Sequence, residues 1–157
     1  MGQSPNPMPP PPYAHIPGAN ARHPEDLFDP VKELAPPETL DQNAAENQAW
    51  IYGLILIEQG FHWEAHEVLE TVWMRAAPNS RERHLVQGII HIANSALKHK
   101  MGRPEAAARL DVLAHQCIKE AYTGFGGDLL MGLDQTVVKN VLTKGTSGAI
   151  KLQNNAL

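Results

Sequence analysis

Apolar residues recur three and four positions apart through most of the chain between residues 39 and 142, which is the spacing of helices with one buried face. No segment alternates apolar and polar residues over a strand length, so no strand is predicted. Breaks fall at Gly60, at Pro78, at Gly102 and at the glycines of 124–127. Five helices are therefore predicted.

The ends of these helices follow from capping and helix-breaking residues. Thr39 and Gln42 have the spacing of a capping box at the start of the first helix. Asn79 or Ser80 caps the third helix, and Pro104 suits the first turn of the fourth. The predicted ranges are about 39–60, 61–76, 80–102, 104–123 and 133–142.

Short turns between successive helices make them antiparallel neighbours. The fold class predicted is all-α, an up-and-down bundle of four to five helices arranged as antiparallel helical hairpins. We divide the chain into a Pro-rich N-terminal arm (1–37), a helical domain (38–143) and a polar C-terminal tail (144–157).

The arm leaves two alternatives open. Its prolines favour extended conformations and a mobile extension with no fixed role. Aromatic, apolar and histidine residues between positions 13 and 28 favour an arm that docks on the domain. The proline run itself has little to bury, so deleting residues 1–12 is expected to leave the melting temperature almost unchanged.

Composition narrows the function classes. A net charge of −4 and a pI near 6.0, with no run of basic residues, predict no nucleic-acid partner. Cys117 is the single cysteine, so no intrachain disulfide can form. No apolar stretch is long enough to cross a bilayer, which predicts no membrane partner. We expect a cytoplasmic protein.

The densest group of reactive side chains lies in the second predicted helix. His66 and Glu70 are one turn apart, Trp73 follows on the same side, and Glu67 lies next to them. The third helix carries a polar stripe beside its apolar face, with Gln87, His91 and Asn94. If the two stripes meet, these seven residues form one polar cluster between two helices.

Three interpretations of this cluster stay open. His66 and Glu70 form a hydrogen-bonded structural pair among packed tryptophans; or His66, Glu70 and His91 hold a divalent metal ion; or the cluster binds an organic ligand or exchanges protons with one. The second helix lacks the Glu-x-x-His and His-Glu-x-x-His units of known metal-binding helices, so an absence of any cofactor is favoured over a metal.

The motif His66-x-x-x-Glu70-x-x-Trp73, preceded by residues 60–65 (GFHWEA), resembles the family known as domain of unknown function 309. Later blocks at 85–90, 96–97, 102–104 and 131–134 extend the resemblance over about 50–142. The resemblance implies a compact all-helical domain and no established activity. It also implies a further histidine after a variable gap, a place for which His91 and His99 both qualify.

We therefore expect a small binding or interaction domain, with a small molecule or a protein as partner and homo-oligomerisation left open. One alternative is a metal-dependent hydrolytic enzyme that uses His66 and Glu70. The other is a helical-hairpin scaffold for partner proteins.

Overall fold

Four long helices form the body of the protein, and the predicted all-α bundle is confirmed. The computed structural model describes residues 8–144. The long helices are α2 (Gln48–Glu58), α3 (His62–Met74), α4 (Arg81–Lys100) and α5 (Pro104–Tyr122), joined by short turns. Gly60 ends α2 with a φ of +88°, a left-handed conformation that glycine adopts without a steric penalty. Each break lies where the sequence predicts it.

The helices pack in chain order. α3 packs against α2 on one side and α4 on the other, and α4 packs in turn against α5. α2 and α3 approach closely at Gly53, where a Cβ atom would lie 2.3 Å from the side chain of Leu69. Buried side chains from all four helices, including Trp50, Leu69, Ile89 and Ile118, form one core. No helix among residues 8–144 has the length and apolar character needed to span a membrane.

The first helix does not begin as predicted. The Thr39 hydroxyl donates a hydrogen bond to the carbonyl of Val72 on α3, 2.7 Å away, and so does not cap a helix. A 3₁₀ helix (Asp41–Glu46) comes first, and α2 begins after Asn47, whose Oδ1 accepts a hydrogen bond from the N–H of Trp50. The capping residue is therefore Asn47.

A small hairpin, which the sequence pattern did not predict, precedes the last helix. Strands β1 (Leu129–Leu130) and β2 (Leu133–Asp134) pair antiparallel, and α6 spans Gln135–Lys144. Two-residue strands are too short to show alternation, so the prediction of no strands was wrong here. The indole of Trp50 donates to the carbonyl of Met131 at 3.0 Å, which ties the hairpin to the core.

The N-terminal arm is docked on the bundle. It contains a single helical turn, α1 (Asp29–Lys32), and it buries Phe28 and Val31 in the core. The proline run was expected to have little to bury; its described part nevertheless packs on the bundle, and the effect of deleting residues 1–12 stays a prediction. Pro11 is buried, and the carbonyl of Pro9 accepts a hydrogen bond from the Tyr52 hydroxyl at 2.7 Å. Of the predicted polar tail, residues 145–157 lie outside the described range.

Candidate functional site

Helix α3 presents opposite sides to the arm and to α4. Glu64 and His66 are two positions apart, so their side chains leave the helix about 200° apart. Glu64 points toward the arm, where it bonds to His23, and the charge of His66 acts on His91 of α4. Trp63 and Glu67 lie on the half-exposed strip between these two sides, and Trp73 lies near His66 on the α4 side.

The buried carboxylate of Glu64 holds the arm. Its side chain is 0% exposed, and Oε2 accepts hydrogen bonds from the backbone N–H of His15 and from Nε2 of His23, both at 2.7 Å. Helical projection places Glu64 outside the apolar face of α3, which would direct it to solvent or another helix. The structure instead buries Glu64 against the arm, which supplies the two partners of Oε2, while Oε1 has no hydrogen-bond partner among the described residues.

Aromatic contacts surround the Glu64–His23 pair. The ring of His15 meets Trp63 edge-on at 4.9 Å between centroids, and the guanidinium carbon of Arg22 lies 5.4 Å from the Trp63 ring centre. On the other side, burial and the charge of Glu64 raise the pKa of Tyr52. Residues 13–28 are therefore docked on α3, and the hydrogen bond from the Tyr52 hydroxyl to the Pro9 carbonyl connects the arm to α2.

On the α4 side, His66 lies between two carboxylates. Its Nδ1 is 3.6 Å from Oε2 of Glu67, and its Nε2 is 3.9 Å from Oε2 of Glu70. The side chains of His66, Glu67 and Glu70 are 29%, 24% and 52% exposed. His66 and Glu70 are thus a partly solvated pair at the surface, and the two distances are longer than those of good hydrogen bonds.

One ring contact and one electrostatic interaction indicate the register of α3 against α4. The charge of His66 acts on His91, and the guanidinium of Arg83 stacks on the ring of Trp73 at 3.9 Å. The seven positions from His66 to Trp73 on α3 therefore run beside the eight positions from His91 back to Arg83 on α4. The same register puts Gln87 level with Glu70, and Asn94 one turn beyond His91, near the level of Trp63. We call the surface line formed by His66, Glu70, Trp73, Arg83, Gln87 and His91 the α3–α4 seam.

The predicted site residues are spread along this seam and do not converge. His66 and Trp73 are seven residues apart, or about 10 Å along the helix axis. Within residues 8–144 no three His, Cys, Asp or Glu side chains are placed to hold a metal ion. Metal binding by His66, Glu70 and His91 is therefore not confirmed. His99, the other histidine considered, is exposed near the end of α4.

The seam contains two buried ring nitrogens, Nε1 of Trp73 and Nδ1 of His91, for which the described part of the chain offers no hydrogen-bond partner. Burial, and then the charge of His66, lower the pKa of His91. The seam thus combines two unpartnered nitrogens with the exposed carboxylate of Glu70, and the partly exposed carboxylate of Glu67 lies beside it.

The third buried histidine, His62, is the first residue of α3 and is 4% exposed. Burial, and then the charge of Lys100, lower its pKa to about 4. Its Nδ1 is also buried, with no partner among the described residues. Sequence patterns offer no signal for this environment, which depends on how the end of α4 meets the turn before α3.

Comparison with known proteins bears on the central helices. Residues 50–110 match the family model described as domain of unknown function (DUF309). This segment belongs to the DUF309 family. The resemblance stated from the motif is confirmed over α2, α3, α4 and the start of α5, and the matched segment contains every residue of the α3–α4 seam. No curated protein and no solved structure matches the chain.

Replacing Glu64 with alanine should destabilise the DUF309 domain and release the arm. The change leaves the His15 N–H and the His23 ring without their acceptor, and loss of one member of a buried pair costs about 3–5 kcal/mol. Urea unfolding measures this loss, and amide hydrogen exchange should show faster exchange at His15. Glu70→Ala is the matched control, with an expected cost under about 1 kcal/mol for an exposed pair. Equal effects of the two substitutions would refute the role given to Glu64.

The low pKa of His62 should make stability fall in mild acid. The pKa is lower in the folded state than in the unfolded state, so the unfolded chain binds the proton more readily as pH falls from about 6.5 to about 4. Over that window the free energy of unfolding should fall by about 3 kcal/mol on account of this group. His62→Gln should remove that part of the slope in urea titrations at several pH values, whereas His99→Gln should not. An unchanged slope in His62→Gln would contradict the assignment.

Proposed function

We propose that this chain is a small cytoplasmic binding domain whose ligand lies along the α3–α4 seam. The observation that carries the proposal is the pair of buried nitrogens, Trp73 Nε1 and His91 Nδ1, without partners among the described residues. A buried donor or acceptor left unpaired costs about 1–3 kcal/mol, and buried indole N–H groups usually find an acceptor. A bound molecule that supplies these partners recovers that cost.

The charges along the seam indicate the chemistry of the ligand. At one end the Trp73 indole and the Arg83 guanidinium lie together, and both are hydrogen-bond donors. One and two turns away, the carboxylates of Glu70 and Glu67 flank His66. A ligand carboxylate suits the first end, and an ammonium group suits the second.

These positions are about 5–10 Å apart along the helix, from the rise of 1.5 Å per residue. A zwitterion whose ammonium and carboxylate groups are several bonds apart, such as the side-chain ammonium and the α-carboxylate of lysine, therefore matches both the sign and the spacing of the charges. Residues arranged in rows along a seam also suit an extended ligand better than a metal ion, which needs several ligands around one point.

Indole NMR signals test the proposal, because the chain has three tryptophans. Titration with a mixture of the common amino acids should shift the Trp73 indole N–H resonance. The Trp50 indole, which donates to the Met131 carbonyl, should stay fixed and serves as an internal control. Glu70→Gln should weaken the binding about 5-fold, the value of a partly exposed charge contact near 1 kcal/mol.

Glu105→Gln, a change at an exposed carboxylate on α5, is the matched control and should bind like the unaltered protein. If no amino acid shifts the Trp73 signal at concentrations up to about 10 mM, which corresponds to a binding free energy weaker than about 3 kcal/mol, the zwitterion proposal fails. A shift that is the same in Glu70→Gln would remove the acidic end of the seam from the proposed site.

A further inference from the structure

A second group of charges lies at the end of the bundle where α3 and α5 begin and α4 ends. Lys98 and Lys100 stand in the last turn of α4, and Arg103 directly precedes α5. Neither α3 nor α5 has a side chain that caps its first turn, since the N-cap residues are Phe61 and Arg103. First-turn N–H groups have no partner within their helix, and they carry the positive end of the helix dipole.

Lys100 lies over the turn that leads into α3. Its Nζ is 3.8 Å from the position where Gly60 would carry a Cβ atom. The ammonium group and the first turn of α3 therefore lie beside the same short turn. The carboxylate in that first turn, Glu64, is directed to the arm and paired with His23.

His62 supplies an independent indication of a ligand. It begins α3 and is 96% buried, and its Nδ1 has no hydrogen-bond partner in the part of the chain that the structure describes. The ring and the Lys100 ammonium act on each other electrostatically. The buried His62 ring needs a hydrogen-bond partner, and an anion bound beside it would interact favourably with both the ring and the Lys100 ammonium.

We propose that the first turn of α3, together with His62 and Lys100, binds a phosphate group. Helix N-termini with free N–H groups bind phosphate, and an ammonium group adds a charge-assisted contact. Of the carboxylates near this end, Glu64 is paired with the arm, and Glu58 and Glu105 are exposed, so solvent screens their repulsion. This site lies at the end of the bundle, apart from the ligand proposed for the α3–α4 seam, and does not depend on it.

Titration of the full chain with inorganic phosphate, against chloride at equal ionic strength, tests the proposal by NMR. Phosphate should shift the backbone amide signals of His62, Trp63 and Glu64. It should also raise the pKa of His62 by about 1, because the bound anion offsets the charge of Lys100. Lys100→Met should weaken phosphate binding about 5-fold or more. Lys119→Met, a change at an exposed lysine near the end of α5, should leave binding unchanged.

Two further titrations define the ligand. Acetate should shift the same signals less than phosphate does, because it has one charge and two oxygens. Tighter binding of phenyl phosphate would identify a phosphate ester as the natural ligand, and tighter binding of inorganic phosphate would identify the free ion. Unmoved amides at 62–64, equal binding by Lys100→Met, or equal shifts with acetate would each overturn the proposal.

Discussion

The antiparallel packing of α3 on α4 in one register is the constraint on which the candidate site depends. The charge of His66 acts on His91, and Arg83 stacks on Trp73. These two interactions set the position along the helix axes of every other polar residue on the two faces. The polar residues that seem clustered in the sequence are consequently arranged in rows, one helical turn apart. This explains why the seam has several potential ligands for a metal ion and yet no three of them meet within residues 8–144.

The other side of α3 depends on a single buried charge. A carboxylate with no exposed surface is tolerated only when hydrogen bonds replace the lost water, and the arm provides two such bonds to Glu64. The same segment brings Phe28 and Val31 into the core and places Arg22 over Trp63. The arm is therefore part of the folded body, and it lies on the side of α3 opposite the α3–α4 seam.

The long helices and their breaks could be predicted from the sequence because they depend on local rules: apolar spacing, the glycines at 60 and 102, and the proline at 78. The polar stripe with His66 and His91 could be predicted for the same reason. The role of Glu64 could not, since it depends on partners 41 and 49 positions away in the chain. The hairpin at 129–134 was missed because two-residue strands carry no periodic signal. Thr39 looked like a cap because the carbonyl to which it donates, that of Val72, is distant in sequence.

The proximity of His66 and His91 across the α3–α4 seam is tested most directly by the titration of one histidine in the absence of the other. NMR should give a His91 pKa below 6.5 in the unaltered protein, because burial and the charge of His66 both lower it. In His66→Gln the pKa of His91 should rise yet stay below 6.5, since burial remains while the like charge is gone. A His91 pKa that is the same with and without His66 would show that the two rings do not face each other. That result would contradict the proposal that the α3–α4 seam is a binding site.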